Sequence, residues 1–549
     1  MAGGVWVRKM ESEKWDTGGD HVKRGKHSQG DGPCQNRTLS GFCPAWHPGD
    51  LEVEIAIPHA TTHVIDRRTE LGNKLAKPPQ FMRHTKIIAT LGPATESPEM
   101  LGRMIDGGLN ICRLNMSHST HEWVRRVVTD IRAVATERGV CIGILMDTQG
   151  PSIRTGDLPA KIRLHPGAKF TFTVNGAKIG EGNSASVNYP GFVEDVHVGN
   201  IVLVDNGVIQ MRVVAKGDDR VECDVLTEGE LGSRRHINLP GVKVNLPPLT
   251  EKDIADVKLG VELALDFIAL SFVRSATDIQ VLRQLIAECG AHHPRIVAKI
   301  EDQQAVKHFE AILLQSDAVM VARGDLGIEV SYEELPIIQR RIVKSCLRIG
   351  RPVIVATHML ESMIQSPMPT RAEVTDVANA VFEQADAIML SGETTVGMYP
   401  LKCVEVFDRV AARIERSGGA NFAERAELDD PRKKIARSAV VMADELRARA
   451  IVTLVRSGTM TRYISWLRPR YSTIYAVCRG GGTAGSLTLY RGVVPVVTEF
   501  DPETLERNIG LALDSLAKKH LLRKGDVVVT VTSVPAGDQT INTVQMRTV

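Results

Sequence analysis

The sequence predicts an α/β protein built on a (β/α)₈ barrel, with a small β-barrel domain inserted as a lid and an open α/β sheet at the C-terminal end. Three observations carry this. Eight short apolar runs, each followed by a helix-like segment, lie between residues 86 and 393. Residues 156–245 interrupt the third repeat with alternating strand patterns and no long helical period. Beyond residue 417 a second series of apolar runs alternates with helical stretches.

Taken in chain order, residues 1–81 are polar, glycine-rich and without helical or strand period, which predicts disorder. Glu11, Glu13, Asp16 and Asp20 argue against a transit peptide, and no apolar core supports a secretory signal. Met82 directly precedes the first patterned strand, so the expectation is a biological start near Met82, with 1–83 an extension outside the fold. The eight runs are 86–92, 110–117, 141–147, 266–272, 295–301, 318–325, 352–358 and 387–393. Most are apolar nearly throughout, as parallel strands covered on both faces require. Helices are expected at 120–138, 277–289 and 333–349, and a delayed third helix opens at Thr250 and Asp253, an Asp-bearing capping box. An alternating β/α series of eight closes into a barrel, although pattern alone leaves an open doubly wound sheet as the alternative. The barrel domain is thus 84–155 and 246–417, the lid 156–245, and the third domain 418–549, with helices at 433–447 and 502–519.

Composition narrows the class of function. The 549 residues are 43% hydrophobic and 24% charged, and 67 basic residues balance 65 acidic ones. A net charge of +2 gives no support for nucleic acid or a membrane surface as partner. No apolar run approaches the ~20 residues of a membrane span. Nine scattered cysteines without a C-x-x-C pair fit a reducing compartment, with cytoplasm the default.

Polar groups collect at the C-terminal ends of the strands, where barrel enzymes place their chemistry. Residues i, i+2 and i+4 of a strand share a face, so Arg113, Asn115 and Ser117 point together, as do Lys299 and Glu301. Asp147 ends the third run, Asp325 follows Gly324 after the sixth, and Thr357 ends the seventh. Glu301 and Asp325 are hard oxygen ligands suited to a Mg²⁺ that keeps substrate oxygens or water in its other positions. Lys299, Arg113 and Arg154 could neutralise a phosphoryl group in transfer. The glycine turn of "RGDLGIEV" enters a helix whose free N–H groups can hold a carboxylate. Asn115, Ser117, Asp147 and Thr148 offer oxygens with one formal charge, which suits a larger monovalent ion. A Lys-x-Glu pair alone is usually a structural ion pair. Convergence from five of eight strand ends favours a site instead.

The ordered series "TKIIATLGPAT", "ICRLNMSHSTHE", "DTQGPSIRTG", "LGSRRHINLPG", "AKIED", "MVARGDLGIE", "VATHMLESM", "PTRAEVTDVANAV" and "LSGETTVGMYP" resembles the pyruvate kinase family over residues 84–549. The resemblance implies phosphoryl transfer from phosphoenolpyruvate to ADP, giving pyruvate and ATP. It implies that Lys299 stabilises the phosphoryl group and the enolate, and that Glu301 and Asp325 hold Mg²⁺ or Mn²⁺. Gly324 and Asp325 would receive the substrate carboxylate, Thr357 would lie by the enolate carbon, and Arg113 would contact the phosphate. Arg154, His118 and, on lid closure, Arg235 would meet the nucleotide, while Asn115, Ser117, Asp147 and Thr148 would bind K⁺. A homotetramer and a phosphorylated allosteric effector are usual in the family. The segment 455–462, with Ser457, Thr459 and Thr461, is the candidate effector site, a capped helix with solvated arginines being the equal alternative.

Three departures stand out. Arg234-Arg235 replaces a Lys-Lys pair, which changes a point charge into a fork. His358 follows Thr357 where Gln is frequent. In "DTQGPSIRTG", Gln149 and Ser152 replace the Lys and Glu of the common form. Members that work without K⁺ tend to carry a Lys where Ser152 stands. Neither neutral residue supplies an internal cation, so an external one is still expected, held more weakly without the Glu charge.

Overall fold

The computed structural model describes residues 83–174, 183–499, 505–536 and 539–549. The expectations for 1–82 lie outside the described residues. The eight runs form a closed parallel barrel of strands Lys86–Thr90, Ile111–Asn115, Gly143–Asp147, Phe267–Leu270, Arg295–Ile300, Ala318–Ala322, Val353–Ala356 and Ala387–Leu390, the last pairing with the first. Closure settles the open-sheet alternative.

Every strand except the third ends before its run does. The polar tail of a run leaves the ladder to line the mouth. The sixth is the clearest case: strand geometry stops at Ala322, and Arg323–Glu329 is already helical. Side chains alternate between two apolar layers. Ile88, Leu145, Val297, Met320, Ile354 and Met389 fill the barrel interior, while their neighbours in sequence pack against the outer helices. Ser97 and Thr120 cap the first two helices, Pro98–Asp106 and His121–Glu137, by accepting from the third helical N–H. Thr250 and Asp253 form the expected reciprocal capping box on Glu251–Glu262.

The described part of the insert comprises a six-stranded sheet and a two-stranded one. Its core gathers Phe170, Phe172 and Phe192, whose rings meet edge to face at 4.9 and 5.5 Å. The C-terminal sheet has four parallel strands, Val493–Val497, Thr473–Cys478, Ala450–Val455 and Val527–Ala536, with Gln539–Thr548 antiparallel at the edge. That edge strand carries no continuous apolar run, and from Ile541 onward its residues are half-exposed or exposed, so it lacks the mark of a strand covered on both faces.

The third sheet docks under the barrel. Leu489 joins the barrel interior from below. Arg468 reaches Asp386 at 2.8 Å, and the Trp466 indole donates to the Leu347 carbonyl. Glu415 accepts from the His84 and Thr85 amides at 2.7 Å each and faces Arg491 at 3.3 Å. In this setting burial pushes the His84 imidazole down to about 4, with Arg491, Lys86 and Arg468 adding to the shift and Glu415 opposing it. The unfolded chain binds that proton near 6.5 and the folded chain only near 4, so stability is lost as pH falls through that window. His84→Asn should flatten this loss by up to about 1.4 kcal/mol per pH unit. Denaturant midpoints at pH 7 and pH 5 would show it. Equal pH dependence in both chains would mean that His84 is not held neutral.

Candidate active site

Asp147 closes the third strand and is fully buried. Its Oδ2 accepts from Arg113 Nε at 2.7 Å, and its Oδ1 lies 3.2 Å from both Lys299 Nζ and Ser271 Oγ. Lys299 Nζ also donates to Ser271 Oγ at 2.7 Å and sits 2.8 Å from Glu301 Oε1. Arg113 reaches Thr90 Oγ1 at 2.8 Å. Five strands thus contribute to one buried network of two cations and two carboxylates.

The electrostatics follow from this arrangement. Burial alone would release the Lys299 proton, but Asp147 and Glu301 outweigh it and hold the ammonium above its usual range. Asp147 stays below the usual carboxylate range because Lys299 and Arg113 overcome its burial. Glu301 goes the other way: burial pushes it up to about 7, Lys299 offsetting part of the shift and Asp325 adding to it. Glu301 Oε2 accepts from the Phe272 amide at 2.6 Å. Its Oε1 is buried without an aligned hydrogen bond.

A cavity of about 180 Å³ opens above the network. Arg113, Asn115, Ser117, Thr148, Arg154, Lys299, Glu301 and Asp325 line it, together with Gln149 and Ser152. Arg154 Nε donates to Ser152 Oγ at 3.1 Å. Asn115 Oδ1 receives the Ser117 amide at 3.3 Å. Of the other expected residues, Asp147 lies beneath the cavity, and His118 is exposed on the loop after the second strand. Arg235 is absent from the cavity lining and pairs with Asp205 at 3.3 Å in the insert. Arg234 forks onto Asp157 at 2.7 and 2.9 Å.

Gly324 and Thr357 meet beside the cavity. The Gly324 amide, expected to be free, donates to Thr357 Oγ1 at 2.7 Å. Thr357 has a φ of 69° and His358 a φ of 53°, a rare state for a β-branched residue and one that costs roughly 1–3 kcal/mol. Arg323 holds it in place: it donates to the carbonyls of Ala356 and Thr357 at 3.2 and 2.7 Å and pairs with Asp376 at 2.7 Å. His358 therefore occupies a left-handed position, which His tolerates better than most residues. In the third domain, Ser457 is exposed and Thr459 half-buried, with Arg462 3.1 Å from the Thr459 hydroxyl. Thr461 is a correction: it is buried, and its hydroxyl is spent on Thr453 at 2.8 Å.

Sequence reasoning missed two groups. Ser271, at the end of the fourth strand, ties Lys299 to Asp147 and donates to the Thr148 carbonyl at 2.7 Å. The signal was a lone hydroxyl directly after an apolar run. Lys252 and Asp253, at the start of the delayed third helix, clasp two mouth loops at once. Lys252 Nζ donates to the Met116 carbonyl at 2.8 Å, and Asp253 Oδ1 accepts from the Gly150 amide at 3.1 Å.

Family comparison agrees with this fold. The model of the pyruvate kinase barrel domain matches residues 82–404, and that of the pyruvate kinase alpha/beta domain matches 433–546. The chain belongs to the pyruvate kinase family. It is 38% identical to a pyruvate kinase of Sporosarcina psychrophila over 83% of this chain and 79% of the relative. It is 41% identical to plastidial pyruvate kinase 2 of Arabidopsis thaliana, with the same coverage. Against a pyruvate kinase of Geobacillus stearothermophilus it is 39% identical over 83% of this chain and 78% of the relative. Membership makes the chain a phosphotransferase. Ser271→Ala should lower turnover about tenfold or more, because Lys299 loses a positioning partner, while the melting temperature falls by only a few degrees. Steady-state kinetics beside a thermal melt would separate the two. Unchanged kcat would remove Ser271 from the site.

Proposed function

We propose that the chain transfers the phosphoryl group of phosphoenolpyruvate to ADP, giving pyruvate and ATP. The observation that carries this is the juxtaposition of Lys299, Arg113, Glu301 and Asp325 around one small cavity above a buried apolar barrel. Phosphoryl transfer needs positioning and charge stabilisation more than covalent help, and this arrangement supplies both. Lys299 and Arg113 neutralise the equatorial oxygens of the phosphoryl group, and Lys299 remains beside the enolate oxygen after transfer. Thr357 lies on the side where the enolate carbon is protonated. The helix start at Gly324 and Asp325 receives the substrate carboxylate, which then shares the Gly324 amide with the Thr357 hydroxyl.

The donor set suits a divalent ion. Glu301 and Asp325 are the carboxylates lining the cavity, and the buried Glu301 Oε1 meets only the Lys299 ammonium, at 2.8 Å and without an aligned hydrogen bond. Mg²⁺ or Mn²⁺ there would leave most positions for substrate oxygens and water, and when bound it supplies charge neutralisation. Asn115, Ser117 and Thr148 present oxygens to the cavity, with the Asp147 charge behind them, and we assign these four to K⁺. Asp147 already serves Arg113, Lys299 and Ser271, but a carboxylate has about four acceptor sites. Arg154, His118 and Arg235 are assigned to the nucleotide, Arg235 arriving as the insert closes.

The wider reading is a homotetramer with a phosphorylated effector held by Ser457 and Thr459. No described helix is long and apolar enough to cross a membrane. The seven described cysteines are free, which favours a reducing compartment, and the cytoplasm is our assignment.

Lys299→Met should lower kcat by a factor of at least about 10², with phosphoenolpyruvate binding largely kept. Pyruvate formation and ligand-binding assays on the variant would test this, and surviving turnover would remove the assigned role. Activity should also rise with KCl against a tetramethylammonium background. Ser152→Glu should lower the half-saturating K⁺ concentration. Full activity without K⁺ would overturn the reading of Gln149 and Ser152.

A further inference from the structure

A second cavity, of about 520 Å³, lies where the barrel meets the third domain, on the side away from the barrel mouth. Its walls include Gln384 and Glu415 from the barrel and Arg437, Arg468 and Arg491 from the third domain. Buried side-chain nitrogens and oxygens are almost always satisfied in folded proteins. Nine among the described residues have no hydrogen-bond partner, and four of those belong to this one lining: Arg437 Nε, Arg468 Nε, Arg491 Nε and Gln384 Oε1. Three of the four are cationic donors.

The arginines are not idle elsewhere. Arg468 is 9% exposed and spends its Nη groups on Asp386, the Ser465 carbonyl and the Gln384 carbonyl. Arg491 is 7% exposed and meets Glu415 at 3.3 Å. Arg437 donates to the Ala423 carbonyl at 3.3 Å and forms no ion pair among the described residues. The Nε donor of each guanidinium is therefore left over. Orphaned charged donors are costly unless an acceptor arrives, and an oxyanion is the acceptor that matches a guanidinium edge. The volume is in the range of small-ligand sites.

We infer that this cavity binds a small organic oxyanion, a phosphate monoester or a carboxylate, through Arg437, Arg468 and Arg491. The ligand bridges the barrel and the third domain and so stabilises their packing. The site is separate from the barrel mouth and from the 455–462 segment. The inference does not rest on the catalytic reading.

The test uses the full-length protein, with inorganic phosphate and citrate titrated separately at constant ionic strength against chloride. A Ser457→Ala/Thr459→Ala background removes the other candidate anion site, and binding at the barrel mouth, which Arg437 does not line, is separated by its persistence in Arg437→Gln. Calorimetry and thermal melts are read together. Saturable binding of one probe with a raised melting temperature is expected, and which probe binds distinguishes phosphate from carboxylate recognition. Arg437→Gln should weaken that binding at least about tenfold, since a charge-assisted bond is lost. Arg437→Lys, which keeps the charge and loses the fork, should restore part of it. Turnover without either probe should be unchanged in both variants. Saturation by neither probe, or equal affinity in wild type and Arg437→Gln, would overturn the site.

Discussion

The buried carboxylate of Asp147 is the interaction on which the mouth of the barrel depends. It is fully desolvated, and it is tolerated only because Arg113, Lys299 and Ser271 converge on it from three other strand ends. Removing one partner of such a buried pair typically costs about 3–5 kcal/mol, because the survivor is left charged and unpaired. The reverse also holds. Two cations held at fixed positions by Asp147 and Glu301 cannot move apart or toward solvent, so the cavity above them stays polarised before any substrate arrives. Closure of the barrel is what brings these strand ends together, and the apolar layer of Val297, Met320, Ile354 and Met389 beneath them keeps water out.

Rigidity at the mouth is reinforced from outside. The strained backbone at Thr357 persists because Arg323 grips it by two carbonyls while Asp376 fixes Arg323. The loops after the second and third strands are both anchored to the start of one helix, through Lys252 and Asp253. The insert contrasts with this. Arg234 and Arg235 are exposed, and each pairs with a carboxylate of the insert itself, Asp157 and Asp205. Exposed pairs of that kind are screened by solvent and contribute little to stability. The floor of the cavity is thus held by buried contacts, and these two arginines of the insert by exposed ones.

The apolar runs made the barrel legible, since eight strands buried on both faces leave little freedom in composition. The ends of the strands were less so. Arg323, Gly324 and Asp325 continue an apolar run in sequence but turn helical in space, and no periodicity distinguishes the two over so short a span. Ser271 and Lys252 escaped notice for a different reason. Each acts by holding a residue distant in sequence, and a single hydroxyl or ammonium carries no local pattern. The edge strand Gln539–Thr548 is legible only after its antiparallel partner is known. Resemblance assigned roles to strand-end residues and said nothing of the unpaired arginine Nε donors at the domain junction. Those arise from how two domains pack.

The neutral pair in "DTQGPSIRTG" has a consequence beyond the cation pocket. Ser152 Oγ accepts from Arg154 Nε, and Arg154 forms no ion pair among the described residues. A glutamate at 152 would stand where that hydroxyl stands and would commit the guanidinium to an ion pair across the cavity wall. With serine, the Arg154 charge is oriented but uncompensated, and it faces a cavity that already holds Arg113 and Lys299. The two effects oppose one another: loss of the acidic charge weakens the hold on a cation and strengthens the pull on an anion. Gln149 offsets this, because a neutral amide in place of the Lys of the common form removes a positive charge from the same turn. With one basic and one acidic residue of the common form both replaced by neutral ones, the turn keeps its net charge, and what changes is the partner of Arg154, a hydroxyl that orients the guanidinium without pairing its charge.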